Sequence, residues 1–147
     1  MIFNLPATVE DADLVILCEP AEEILETLGH IAPHLKAGCL VTDIAPSKAA
    51  VLARAAAVLP QSVSFVGGHP VLASWDAAAG EHPFRGATWC ICAPPSAAPE
   101  AMRTMERLVR ALGAQPFYID AEEHDALVAG ALHLTQLESL ALLDILQ

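Results

Sequence analysis

The residue of this chain best suited to proton chemistry is a histidine framed by glycines and a proline, Gly67-Gly68-His69-Pro70. A neutral imidazole accepts a proton and titrates near neutral pH. The two glycines suit a tight turn, and Pro70 restricts His69 to extended backbone. On pattern alone, His69 reads equally well as a loop histidine without a role. Two further clusters of polar residues follow apolar runs: Cys18-Glu19-Pro20, and Asp43-Ile44-Ala45-Pro46-Ser47-Lys48. Glu19 reads either as a helix-start acid or as a ligand contact. Lys48 reads either as a helix-start cation in solvent or as part of a cationic pocket. His124 with Asp125, near the start of the last helix, reads as structural, and His30, His34 and His82 read as surface residues. Cys90-Ile91-Cys92 puts two thiols on one face of a strand, a pattern of buried packing. With no second pair at ligand spacing, no metal site is expected.

The elements that must position these residues alternate between strands and helices. Asp13 to Cys18 and Cys39 to Ile44 are short, continuous apolar runs, as in strands buried on both faces. Between them Ala21 to Leu35 carries Ile24, Leu25, Leu28, Ile31 and Leu35 at helical spacing, closed by Lys36-Ala37-Gly38. Pro46-Ser47-Lys48 starts a helix that runs to about Leu59. Ser64 to Val66 is a third strand leading into the glycine turn, and Val71 to Gly86 has no clear periodicity. Thr88 to Ala93 is a fourth strand, Glu100 to Leu112 a helix, and Gln115 to Ile119 a fifth strand. Asp120 can cap a final helix, with Glu122 and Glu123 in its first turn. This alternation implies βαβ units and a mainly parallel α/β sheet. Ligands of such sheets bind beyond the carboxyl ends of the strands, where the three polar clusters fall.

Composition narrows the partners. The 147 residues are 54% hydrophobic and 17% charged, with a net charge of −11. An acidic surface repels nucleic acid and anionic membranes, so neither is expected as a partner. No apolar run approaches the roughly 20 residues of a membrane span, and no signal peptide is seen. Cysteines inside apolar runs fit a reducing, cytoplasmic compartment.

Several segments together resemble the prephenate dehydrogenase family. They are Phe65-Val66-Gly67-Gly68-His69-Pro70, Ala121-Glu122-Glu123-His124-Asp125 with His133-Leu134 following, Ala12 to Leu17 with Pro20, Val41-Thr42-Asp43 with Lys48, and Phe84-Arg85-Gly86-Ala87-Thr88-Trp89. Their order matches the family over nearly the whole chain. The resemblance implies NAD(P)-dependent oxidative decarboxylation of prephenate to 4-hydroxyphenylpyruvate in tyrosine biosynthesis, or of arogenate to tyrosine. It implies His69 as the catalytic residue, and Glu19, Pro20, Asp43 and Ile44 at the NAD or NADP site. Ser47, Ser74 and His133 are the implied substrate contacts. Pro46 occupies the family's usual serine position, which weakens the transfer of that serine's role to Ser47.

The resemblance also implies the fold: the C-terminal half of a Rossmann-like, mainly parallel sheet with flanking helices, leading into the start of a helical domain. The expected division is 1–120 for the nucleotide-binding part and 121–147 for the start of a helical dimerisation and substrate domain, with a homodimer in the full-length family. The dinucleotide fingerprint G-x-G-x-x-G is not in the sequence, and the last residues are still apolar, so both ends read as cut. The expectation is weak NAD(P) binding and little turnover by these residues alone. Other dehydrogenases of similar fold use a lysine in the long helix, and none follows Lys48. A non-catalytic ligand-binding or regulatory remnant is the alternative of a different class.

Overall fold

The structure, a computed structural model, describes residues 4–72 and 83–131. The elements in chain order are α1 (Leu5–Val9), β1 (Leu14–Leu17), α2 (Ala21–Ile31), a 3-10 turn (Ala32–His34), β2 (Leu40–Asp43), α3 (Ala49–Val58), β3 (Ser64–Val71), β4 (Thr88–Cys92), α4 (Pro99–Ala111) and β5 (Gln115–Tyr118). A further helix, α5, covers described residues 121–131. The sheet follows chain order, β1-β2-β3-β4-β5. β1, β2 and β3 run parallel, β4 is antiparallel to β3, and β5 is parallel to β4. The mainly parallel α/β sheet is as expected.

Helices cover both faces. On one, Ile24, Leu28 and Ile31 of α2 and Val51 and Ala55 of α3 pack on Leu17, Val41 and Phe65. On the other, Ala101, Met105 and Val109 of α4 pack on Leu40, Val66, Trp89 and Ile91. Alternate strand residues thus feed opposite cores, as the period of two requires. α4 opens with a proline and Glu100 and closes with Arg110, which suits its dipole, and Gly113 then takes a φ of 81° that ends it.

The structure corrects four expectations. α2 stops at Ile31 rather than Leu35, because Pro33 has no N–H to continue the ladder. α3 starts at Ala49 rather than Pro46, with Lys48 as its N-cap residue. β1 is not buried on both faces: among the described residues its one paired neighbour is β2, and Ile16 is 41% exposed. Most consequentially, Gly67 to Pro70 is not a turn. All four residues lie inside the eight-residue β3, paired with Cys92, Ile91, Cys90 and Trp89, and neither glycine has positive φ.

Candidate active site

Crowding, not turning, explains the two glycines. A Cβ on Gly68 would lie 2.7 Å from the Asp43 carbonyl oxygen, 2.7 Å from Trp89 Nε1 and 3.0 Å from Met105 Cε. A Cβ on Gly67 would lie 3.1 Å from Lys48 Cδ and 3.2 Å from the Cys92 carbonyl oxygen. β3 can therefore lie this close to the end of β2 only without side chains at these two positions. The reward is that His69 sits within a strand whose first residues pair with β2 and whose later ones, His69 included, pair with β4, a rigid mount.

Beneath that mount lies a buried ion pair. Lys48 and Asp43 are both fully buried. The Lys48 ammonium donates to Asp43 Oδ2 and, at 2.8 Å, to the Gly68 carbonyl. Asp43 also accepts from the Gly68 N–H at 3.2 Å and the Ala45 N–H at 3.1 Å. Burial pushes the Asp43 carboxyl up and the Lys48 ammonium down, against their mutual attraction. Every partner named here is spent on joining the end of β2 to β3. Lys48 is thus neither in solvent nor in an open cationic pocket. Its methylenes lie under Gly67 while its charge reaches a carboxylate five residues back.

Above the mount, His69 meets residues from the other end of the chain. His69 Nδ1 lies 2.9 Å from His124 Nε2, with the rings nearly perpendicular at 83°. His124 Nδ1 lies 2.8 Å from Asp125 Oδ1, and His124 is only 1% exposed. Asp125 in turn accepts from the Lys48 N–H at 2.7 Å and the Ala49 N–H at 2.9 Å, with the Ser47 hydroxyl at 3.4 Å. These are the free donors at the start of α3, whose own N-cap residue makes no side-chain cap. Asp125 caps α3 from a distant helix. Burial works to raise its carboxyl, but the Ala49 N–H, the His124 ring and the Lys48 N–H together hold it below the usual range. For His69, burial first, then His124 and Lys48, lowers the pKa to about 4. Its imidazole is neutral through the physiological range.

Sequence reasoning singled out His69 and missed its partners. His124 and Asp125 lie on helix α5, and nothing local ties them to a strand 55 residues earlier. The available signal was a histidine followed by an acid on the first turn of a helix that must cover the sheet. Ser47 is brought to the cluster, but its hydroxyl points to Asp125. Glu19 and Pro20 follow the end of β1, beside Asp43 and Ile44 at the end of β2. The Glu19 carboxylate accepts from Thr27 at 2.8 Å, while Pro20 is exposed and Ile44 half-buried. Ser74 and His133 lie outside the described residues. Behind His124, an apolar cavity of about 370 Å³ is lined by Val71, Thr88, Cys90, Phe117 and Leu127 among others. Cys90 and Cys92 are buried, with Cys92 pushed up to about 12 by burial, so both are neutral packing thiols. Among the described residues no cluster of metal ligands occurs, and no helix is long and apolar enough to cross a membrane.

Known proteins resemble the chain over most of its length. Residues 2–118 match the family described as "Prephenate dehydrogenase, nucleotide-binding domain". The chain is 29% identical over 138 residues to a prephenate dehydrogenase of Bacillus subtilis, covering 91% of this chain and 37% of that protein. It spans little more than a third of that relative's length. Among solved structures, an arogenate dehydrogenase from Synechocystis superposes with a TM-score of 0.83 at 28% identity, over 97% of this chain and 51% of that one. A prephenate dehydrogenase from Aquifex aeolicus, in complex with hydroxyphenyl propionate and NAD+, also gives 0.83, at 22% identity, over 97% of this chain and 51% of that one.

Proposed function

Since the chain belongs to the prephenate dehydrogenase family through its nucleotide-binding domain, we propose that it carries the proton-accepting histidine of an NAD(P)-dependent oxidative decarboxylation of prephenate. The observation that carries this reading is the mounting of His69: a neutral ring on a sheet strand, with Nδ1 engaged by His124 and no hydrogen-bond partner for Nε2 among the described residues. In this reaction NAD(P)+ supplies the hydride acceptor. His69 Nε2 accepts a hydrogen bond from the ring hydroxyl and takes its proton as the C–O bond becomes a carbonyl. The carbinol carbon gives up its hydride to that acceptor, the ring carboxylate leaves as carbon dioxide, and its bonding electrons restore the aromatic ring while the oxygen takes the proton back from His69, giving 4-hydroxyphenylpyruvate. A base with a pKa near 4 is weak, so its main contribution is a fixed acceptor aimed at the hydroxyl.

The described residues fit part of a dinucleotide site. The ends of β1 and β2 offer Pro20 and Ile44 as an apolar shelf, with Glu19 beside it. Asp43 would act from within, by shaping the end of β2, since its oxygens are already taken. A glycine-rich phosphate loop is not in the sequence, so the pyrophosphate has no evident cradle in these residues. Ser47, Ser74 and His133 complete the reading as substrate contacts. Ser47 would have to leave Asp125 to take part. Assembly as a homodimer through a helical region belongs to the same reading.

The test is prephenate-dependent formation of NADH or NADPH by the natural protein that carries these residues, with arogenate assayed alongside. His69→Asn should lower kcat by about 10²-fold or more. Full activity in that variant sinks the assignment, and a preference for arogenate moves it to the other substrate. Calorimetry of the 147-residue chain with NAD+ and NADP+ should give weak binding. Micromolar affinity would show that a complete cofactor site is present after all.

A further inference from the structure

We propose that Asp125 is a positioning residue that dictates which nitrogen of His69 carries the proton, acting through His124. The inference deepens the reading of His69 as proton acceptor and rests on it. Its basis is the order of the contacts. An ionised carboxylate can only accept hydrogen bonds. Asp125 Oδ1 lies 2.8 Å from His124 Nδ1, so that nitrogen carries a hydrogen. A neutral His124 then has a bare Nε2, which can only accept. That bare nitrogen lies 2.9 Å from His69 Nδ1, so His69 must donate from Nδ1. With its one hydrogen on Nδ1, a neutral His69 presents an unprotonated Nε2. This is the form that can accept the proton of a substrate hydroxyl; the other tautomer would donate to that hydroxyl and could not take its proton.

The chain of contacts has one fixed end. Asp125 cannot turn away from His124 without abandoning the Lys48 and Ala49 N–H groups, which it caps. Those donors, at the positive end of the α3 dipole, also favour the ionised carboxylate. The start of α3 therefore anchors the acid, the acid fixes His124, and His124 fixes His69. Burial of His124 excludes water that would otherwise satisfy either tautomer. The arrangement resembles in logic, though not in residue types, the acid of a hydrolase triad, whose carboxylate holds a histidine in one tautomer.

The tautomers are read directly from long-range nitrogen–proton NMR spectra of the 15N-labelled 147-residue chain at neutral pH, without substrate. Protonated and bare ring nitrogens resonate in separate regions. The parent should show His69 and His124 each protonated on Nδ1 and bare on Nε2. In Asp125→Asn, an NH2 in place of Oδ1 faces His124 and gives up the Lys48 N–H that Oδ1 also accepts, while the amide oxygen in place of Oδ2 keeps the Ala49 N–H. His124 should then move its hydrogen to Nε2, and His69 should follow. His124→Phe keeps the cap, so it serves if Asp125→Asn does not fold; there His69 should show a mixture of tautomers. In the natural protein Asp125→Asn should lower kcat on the order of 10²-fold with KM little changed. A parent with His69 protonated on Nε2 overturns the proposal. So do variants that keep the parent's tautomer. Because the spectra need no turnover, a substrate other than prephenate would leave this result intact.

Discussion

The buried pair under β3 makes a sharp energetic prediction. Lys48→Met keeps the length of the side chain and its packing under Gly67 but removes the ammonium. Asp43 is then left charged in a site it shares only with the Gly68 and Ala45 N–H groups, and the Gly68 carbonyl loses its donor. Removing one member of a buried ion pair costs about 3–5 kcal/mol, because the other is stranded. Asp43→Asn strands Lys48 in the same way and should cost a similar amount. A domain of this size has roughly 5–15 kcal/mol of stability in all, so either variant is badly weakened. At ~3 °C per kcal/mol, the midpoint should fall by roughly 10–15 °C. The double variant has no charge left to strand and should cost no more than either single, which makes the coupling at least about 3 kcal/mol. Urea titrations of the four proteins, with matching m-values, measure the cycle. Additive singles, or a Lys48→Met loss within the ~0.5 kcal/mol of a surface substitution, would refute the assignment.

Two further tests bear on the same strand. Gly68→Ala would drive a Cβ into the Asp43 carbonyl, which cannot swing aside, and should cost at least about 1–3 kcal/mol in thermal or urea melts, whereas Gly130→Ala has open space around it and should not destabilise. Equal effects at the two glycines would restore the turn reading. The low pKa of His69 also sets a pH window. The unfolded chain takes up this proton near pH 6.5 and the folded one near 4, so stability from this group is complete above 6.5 and is lost as pH falls towards 4. After allowance for solvent screening the loss is about 2 kcal/mol. His69→Asn should remove that part of the acid destabilisation, and identical acid profiles for parent and variant would falsify it.

What could be read from the sequence was whatever depends on neighbours in the chain. The strand runs and the spacing of Ile24, Leu28 and Ile31 gave the elements to within a few residues, because burial on one face is a local periodic demand. Apart from the helix ends, the misreadings concern partners far along the chain. Gly67-Gly68 before His69-Pro70 has the composition of a turn, yet its cause is Trp89 and Met105 crowding a strand. Lys48 at a helix start normally faces water; here an acid and a carbonyl from two different strands draw it inward. β1 has the apolar run of a central strand, yet among the described residues it pairs with β2 alone. His124 and Asp125 have a plain local reading as a first helical turn, and only the folded sheet sets them against His69 and α3.

The long-range cap on α3 also bears on how such chains can be shuffled. The match to the nucleotide-binding family ends at residue 118, just before the helix that carries His124 and Asp125. An exchange of domains between relatives at that limit would separate His69 from its own partner, and α3 would keep its cap only if the incoming helix brought an acid to the position of Asp125. The unit that keeps His69 mounted is therefore set by the hydrogen-bond chain through Asp125 and not by the edge of the sheet.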